Sequence, residues 1–379
     1  MRLAVVRQRY TPFGGAERFL DNALDVLTEH GVAVTLYTRA WHASGAARIE
    51  RRIVDPFHVG SLWRDASFAR AVCRALEQDA ATLVQSHERL ACCDIFRAGD
   101  GVHAAWLDER LRHASALKAL GIRTNPHHRY RLAMERKMFE STRLRAVICN
   151  SNMVREEIRA RFGVPDARLH VIYNAVDTSA YSPDVRTYRP EIRARHGIAQ
   201  HALVWLHVGS GFERKGVATS IDALSALPAP AHLVVVGADK HRARFVEHAR
   251  RRGIGDRVTF AGAQSDVRPY YGSADAFVLS TFYDPCPNAA LEAMACGLPI
   301  VTTTRCGAAE LAVAHDAGLV FDPADVNALA AHLRTLGDAG ARTRMGNNAR
   351  TAMLPLTAVA MTSRLLALYE ALLAGRESA

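Results

Sequence analysis

Short β-rich apolar runs recur along this chain, each followed by a glycine or proline turn and then by a stretch with helical periodicity. Leu3–Val6 leads into Pro12-Phe13-Gly14-Gly15. The amphipathic stretch Ala16–Glu29 closes at Gly31, placed as a helix-ending glycine, and Val32–Tyr37 follows as a strand. Ala146–Cys149 precedes a helix at Asn152–Arg161 with Ser151 as its cap. Val171–Tyr173 enters the polar segment Thr178–Arg195, which carries Pro183 and Pro190 and reads as an interdomain linker. The pattern restarts at Leu203–Val208 with a helix through Gly216–Leu227. It continues through Leu233–Val236, Val258–Phe260, Ala276–Leu279, Pro299–Thr302 and Leu319–Phe321. Strands that alternate with helices, instead of meeting at hairpin turns, demand parallel sheets covered on both faces. The expectation is an α/β chain of two doubly wound, Rossmann-like domains, with ligands beyond the C-terminal strand ends, in the cleft between the domains.

At 379 residues the chain is long enough for two such domains. Its 49% hydrophobic and 23% charged residues exclude disorder and fibrous repeats. No run approaches the roughly 18 uninterrupted apolar residues of a membrane span. The opening Met1-Arg2-Leu3-Ala4-Val5-Val6-Arg7 is too short for a signal-peptide core, so a cytoplasmic location is expected. Seven cysteines (Cys73, Cys92, Cys93, Cys149, Cys286, Cys296 and Cys306) form no CxxC pair and are expected to be reduced.

The net charge of +10 is uneven. Between Arg110 and Arg161 thirteen Lys and Arg, including Arg129, Arg131 and Arg136, face four Glu, a net of +9. Such a stripe is either an ordinary solvated face or a surface for anionic lipid headgroups or an anionic acceptor. Nucleic acid is not expected, since no recognised binding motif and little aromatic interleaving accompany it.

Three segments carry residues suited to chemistry. Asp284-Pro-Cys-Pro-Asn-Ala-Ala-Leu-Glu292 follows the strand Ala276–Leu279. Its prolines delay a helix until Asn288, so the N–H groups of Asn288, Ala289 and Ala290 are expected to face a ligand as an anion site. Glu292, one turn in, suits vicinal hydroxyls such as a ribose offers, and Asp284 suits a second hydroxylated ring. Gly209-Ser-Gly-Phe-Glu-Arg-Lys-Gly216 fails the dinucleotide fingerprint because Arg214 stands where the third glycine belongs. It still lets backbone approach a ligand while Arg214 and Lys215 meet a diphosphate. Gly14 and Gly15 form a weaker third signal, and Asp100, His103 and His87 are polar groups near strand ends in the same half. Each of these residues also has a plain structural reading, as a cap, a solvated cation or a helix-start histidine.

Taken together, the early Gly-Gly turn, the Val-Gly-Ser-Gly-Phe-Glu-Arg-Lys-Gly run, the Asp284–Glu292 pair before Ala-Met-Ala-Cys-Gly-Leu-Pro, and Asn174-Ala-Val-Asp177 resemble the family-4 retaining glycosyltransferases of the GT-B fold. Within that family the chain looks most like the lipopolysaccharide core glucosyltransferases. The resemblance implies a UDP-sugar donor, a lipid-linked or glycan acceptor, retention of anomeric configuration and no required metal or other cofactor. It implies that Gly14, Gly15 and Gly209 lie at the donor, that Arg214 and Lys215 hold its diphosphate, and that Glu292 holds its ribose. Asp284, Asn288 and Ala289 would hold the transferred sugar and phosphate. Asp100 falls where many relatives place a catalytic-site histidine, and His103, Arg129 and Arg131 would lie on the acceptor side. The resemblance further implies domains 1–177 and 178–356, a C-terminal helix 357–379 crossing back to the first, and hinges near Thr178–Arg195 and Thr351–Thr357. It also implies a peripheral position on the inner membrane's anionic cytoplasmic face. Asp284 stands where the family commonly has Glu, which bears on sugar choice, and Ser210 stands where many relatives carry Arg. The alternatives are transfer to another cell-surface polysaccharide, a GT-B nucleotide-sugar epimerase, a dinucleotide-dependent oxidoreductase, or a sugar-binding protein without chemistry.

Overall fold

The computed structural model describes residues 1–10, 27, 30–41, 49–79 and 81–377. Gly14, Gly15 and most of the expected helix Ala16–Glu29 lie outside the described residues. The chain divides into two compact units, residues 1–175 with 358–379, and residues 176–357.

The first unit runs β1 (Arg2–Val6), β2 (Arg9–Tyr10), β3 (Ala33–Thr38), β4 (Ala40–Trp41), β5 (Glu50–Ile53), α1 (Gly60–Glu77), β6 (Leu83–Ser86) and β7 (Ile95–Ala98). There follow α2 (His103–Arg112), α3 (Ala116–Thr124), α4 (Pro126–Phe139), β8 (Ala146–Cys149), α5 (Asn152–Phe162) and β9 (Leu169–Val171). Seven strands form a parallel sheet in the order β5-β3-β1-β6-β7-β8-β9, and β2 pairs with β4. The inner strands β6, β7 and β8 are buried at every position, as strands covered on both faces must be. Ser151 caps α5 by accepting a hydrogen bond from the Val154 N–H, as the sequence predicts. Cys73 and Cys92 form a disulfide, which corrects the expectation that all seven cysteines are reduced. Packing brings their Cα atoms to 5.8 Å although a 19-residue separation carries no recognisable spacing.

The second unit begins with the segment expected to be a linker. Instead, Pro183–Tyr188 is a 3₁₀ turn and α6 (Arg189–Arg195) follows it directly. Arg193 is completely buried and bonds the Asp275 carboxylate at 2.9 Å and the Ser273 carbonyl at 3.0 Å. Polar composition misled here because the charge of Arg193 is paired inside the unit. The remaining elements are β10 (Leu203–Val208), α7 (Val217–Ser225), β11 (Ala231–Val236), α8 (Arg242–Arg251), β12 (Val258–Gly262), α9 (Arg268–Ser273), β13 (Ala276–Leu279) and α10 (Asn288–Ala295). Then come β14 (Ile300–Thr303), α11 (Ala309–Ala314), β15 (Gly318–Phe321), α12 (Val326–Thr335) and α13 (Ala339–Met353). The sheet order β12-β11-β10-β13-β14-β15 is the doubly wound 3-2-1-4-5-6 arrangement. Its switch point lies between β10 and β13, where the chain turns from building one side of the sheet to the other.

The last helix, α14 (Ala358–Glu377), returns to the first unit. Met361, Leu365, Leu368 and Tyr369 join the core under β1, β3 and β6, and the Tyr369 hydroxyl donates to Gln85 Oε1 at 2.6 Å. Length and composition would let α14 cross a membrane, but this face of it is buried in the first unit's core.

Candidate active site

The switch point of the second sheet gathers the residues singled out from the sequence. The turn after β10 and the loop after β13 leave neighbouring strands at their C-terminal ends, where a doubly wound sheet opens its crevice. Two glycines let the loops approach this closely. A Cβ on Gly216, whose φ is +69°, would stand 1.8 Å from the Ser280 carbonyl oxygen. Gly209, at φ +152°, leaves room for the Lys215 stem, which would lie 3.0–3.2 Å from a Cβ there. Lys215 is thereby folded back into the protein and only 9% exposed.

Lys215 Nζ donates to Asp284 Oδ2 at 2.8 Å. Arg214 donates to the same oxygen at 3.3 Å and to the Tyr283 carbonyl at 2.9 Å. The Asp284 backbone is fixed on both sides, its N–H donating to the Arg305 carbonyl and its carbonyl accepting from Gly307 N–H, each at 2.9 Å. Burial alone would raise the Asp284 pKa, but Lys215 and Arg214 outweigh it and hold the carboxyl below its usual range. The result is two cations and one carboxylate held in place, a cluster with one net positive charge at the mouth of the sheet.

Pro287 precedes α10, whose N-terminus faces out of the same loop. Asn288 and Ala289 open the helix as expected. The N–H of Ala290, expected to serve a ligand, instead donates to the Pro287 carbonyl at 3.0 Å, because the first turn tightens there. Glu292 is buried at 5% exposure, and its Oε2 accepts from the Tyr271 hydroxyl at 2.9 Å. The same hydroxyl reaches the Ala289 carbonyl at 3.1 Å, so Tyr271 braces both the carboxylate and the helix. Burial and the adjacent Glu292 push the Tyr271 phenol well above its ordinary value, keeping it a hydrogen-bond donor. Sequence reading missed Tyr271. It lies in the six-residue α9, and only its apolar surroundings Pro269–Gly272 signal a buried position.

In the first unit Asp100 sits on the exposed turn after β7, its Oδ2 3.7 Å from Arg7. Desolvation by the surrounding protein would raise its pKa, but Arg7, Arg89, Arg131 and Arg97 outweigh it and lower the value. The turn is held by a group not anticipated from the sequence. Glu135, 1% exposed on α4, accepts from the N–H groups of His103 (2.8 Å) and Ala104 (3.2 Å) and from Arg89 Nε (2.9 Å). A carboxylate from a distant helix thus caps α2, a role that local capping patterns cannot reveal. His103 is buried, and its pKa is pushed down to about 3 by burial and by Arg89 and Arg131. It is therefore a neutral imidazole, its ring tilted against those of Trp106 and His128 with centroids 5.3 Å away in each case. His87 is likewise buried and neutral, its pKa lowered chiefly by burial, and its N–H ties β6 to β1 through Val6.

The structure divides the basic stripe instead of leaving it one surface. Arg155 and Arg159 pair with Glu156, Arg161 with Asp108, and Arg145 with the Leu372 carbonyl. Arg129 and Arg136 are exposed on α4, whereas Arg131, two residues from Arg129, is half-buried and faces a pocket.

Comparison with known proteins agrees with this architecture. Residues 13–180 match the family described as Glycosyltransferase Family 4, and residues 188–352 match Glycosyl transferases group 1. The lipopolysaccharide glucosyltransferase WaaG of Escherichia coli is 26% identical over 85% of either chain. The lipopolysaccharide core biosynthesis glycosyltransferase LpsE of Rhizobium meliloti is 33% identical over 40% of this chain and 45% of its own. Among solved structures, WaaG superposes with a TM-score of 0.81 at 24% identity, covering 95% of this chain and 98% of its own. Anabaena HepE, solved with UDP and glucose, superposes with a TM-score of 0.73 at 19% identity over 98% of this chain and all of its own. The two parallel-sheet domains are those of the GT-B fold, and the chain belongs to the family-4 glycosyltransferases, enzymes that transfer a sugar.

Proposed function

We propose that this enzyme transfers a hexose, glucose in the first instance, from a UDP-sugar to a glycan of the lipopolysaccharide inner core, with retention at the anomeric carbon. The observation that carries this reading is the Lys215–Asp284–Arg214 cluster at the switch point, beside a helix N-terminus and the Glu292–Tyr271 pair. It is supported by the lipopolysaccharide-building activities of the relatives WaaG and LpsE and by the UDP and glucose bound in HepE.

The UDP diphosphate meets Lys215 and Arg214, and Glu292 accepts hydrogen bonds from the ribose hydroxyls. Asp284, with Asn288 and Ala289, orients the transferred sugar, and Gly209 lets backbone approach the donor. As the bond from C1 to the β-phosphate oxygen breaks, negative charge grows on the diphosphate. Fixed cations and a helix N-terminus meet that charge with no metal or other cofactor. The acceptor hydroxyl attacks C1 from the face the diphosphate leaves, and its proton passes to the departing phosphate oxygen. Asp100 and the neutral His103 stand on the acceptor side.

The enzyme works at the cytoplasmic face of the inner membrane. Leu117 and Leu120 on α3 are 84% and 60% exposed, and Arg129, Arg136 and Lys137 are exposed on the neighbouring α4. Apolar side chains beside cations suit an anionic lipid surface.

The donor site is tested by thermal unfolding with millimolar UDP or NAD⁺. A nucleotide at ~100 times its dissociation constant adds about 2.7 kcal/mol of stability. UDP should raise the melting temperature of the wild type and not of Glu292→Ala. Stabilisation by NAD⁺ alone would overturn the reading.

A further inference from the structure

A small pocket, open to solvent, lies within the first unit, beyond the C-terminal ends of β1 and β6 and between α1 and α4. Its polar lining is Gln8, Asp65, Glu88, Arg89, Tyr130 and Arg131, and Phe68 and Met134 give it apolar walls. Almost every charge in it is already matched. Asp65 accepts from His127 Nε2 at 2.9 Å and from Arg64 at 3.0 Å. Glu88 accepts from the Gln8 N–H at 3.0 Å and lies 3.6 Å from Arg7. Arg89 is bonded to Glu135 and to the Gly101 carbonyl.

Arg131 is the exception. It lines the pocket from α4, half-buried, and makes no hydrogen bond and no ion pair within 4.0 Å among the described residues. Asp65, Glu88 and Asp100 are near enough to act on it only at a distance, and each is committed to other partners. Burial, and then the neighbouring Arg89, lower its pKa, and Asp65, Asp100 and Glu88, acting from a distance, offset that cost to its cationic form only in part. A half-buried guanidinium with an open fork is built for a planar or tetrahedral oxyanion, which it can grip through two N–H groups. The remaining lining has the mixed character of a pyranose site. Carboxylates and an amide face hydroxyls, and Phe68 and Met134 face the C–H surface of a ring.

We infer that this pocket receives an anionic saccharide unit of the acceptor, with the carboxylate or phosphate of that unit held by Arg131. The inference rests on the glycosyltransferase reading above for the word acceptor, but the binding it predicts does not depend on donor or turnover.

The test measures dissociation constants for glucuronate, glucose 6-phosphate, glucose and inorganic phosphate by ligand-observed NMR. It uses the full chain as wild type, Arg131→Gln, Arg131→Lys and Arg123→Gln, with the UDP melting shift recorded on each sample. In the wild type one of the two anionic sugars should bind at least ~10-fold more tightly than glucose. Which one it is separates a carboxylate site from a phosphate site. Arg131→Gln should abolish that preference, Arg131→Lys should keep part of it, and Arg123→Gln, exposed on α3, should keep all of it. Equal binding of anionic and neutral sugars by the wild type, or an unchanged preference in a folded Arg131→Gln protein, overturns the inference. Inorganic phosphate binding as well as either anionic sugar overturns its saccharide part. A wild type with no anion preference beside an intact UDP shift sinks the pocket alone. An absent UDP shift beside an intact preference sinks the donor reading and leaves the pocket standing.

Discussion

At the scale of single residues, Lys215 and Asp284 define each other. Lys215 is 9% exposed and its ammonium has one anionic partner within 2.8 Å, so it is positioned before any ligand arrives. Preorganised charge of this kind acts where charge develops, and loss of one such donor costs on the order of 10²–10³ in rate. Lys215→Ala should lower sugar transfer from UDP-glucose by that factor while the protein still melts cooperatively, and retention of most activity would remove Lys215 from the mechanism. Asp284 yields a pH prediction. Its pKa is lowered on folding, so the stability it contributes is present above the unfolded value, near 4 for Asp, and is lost as pH falls through the lower folded value. The melting difference between wild type and Asp284→Asn should therefore be full at neutral pH and shrink only at or below the ordinary carboxylate range. A difference that fades between pH 7 and 5 would contradict the pairing. These two residues were legible in the sequence because each follows a strand on a turn of distinctive composition. Tyr271 and Glu135 were not legible. Their roles come from side chains that meet across 21 and 32 residues of chain, and no local pattern records such a meeting.

At the scale of elements, sequence periodicity placed the inner strands well and the segments between them less well. Ala146–Cys149, Leu203–Val208 and Ala276–Leu279 are strands with the expected bounds, because a strand buried on both faces is a nearly continuous apolar run, broken in these three only by His207. The segment Thr178–Arg195 was misread because its charges suggested solvent. In fact Arg189 and Arg193 both pair with Asp275, and their element packs as part of the second unit. The loops of the proposed donor site depend on one close approach, at Gly216. Its left-handed backbone would cost an L side chain roughly 1–2 kcal/mol, and the Cβ would also collide with the Ser280 carbonyl. Gly216→Ala should therefore destabilise the protein by at least about 1 kcal/mol in chemical denaturation and weaken UDP binding, since the two loops must part to admit the methyl group. Unchanged stability together with unchanged UDP affinity would show that the loops need not meet there.

At the scale of the whole molecule, the net charge of +10 has an address. Much of the stripe between Arg110 and Arg161 is internally paired, on Glu156, Asp108 and the chain's own carbonyls. What remains for an outside partner is the exposed part of α3 and α4, where Leu117 and Leu120 accompany Arg129, Lys137 and Arg136, the last only loosely paired with the exposed Glu140 at 3.9 Å. The sequence disclosed the excess but not this division, because counting charges along a chain ignores which of them fold onto one another. A basic side chain near an anionic lipid surface contributes about 1 kcal/mol. Reversing Arg129 and Arg136 to Glu removes two attractions and adds two repulsions, so affinity for phosphatidylglycerol-containing vesicles should fall on the order of 10²–10³-fold. Binding to purely zwitterionic vesicles should stay weak in both proteins, and added salt should weaken the wild type toward the variant as screening shortens the reach of each charge. The UDP melting shift of the variant should match that of the wild type, since neither arginine belongs to the second unit. Equal binding of variant and wild type to anionic vesicles would mean that this face is an ordinary solvated surface, and the membrane would lose its place in the account of how the acceptor is reached.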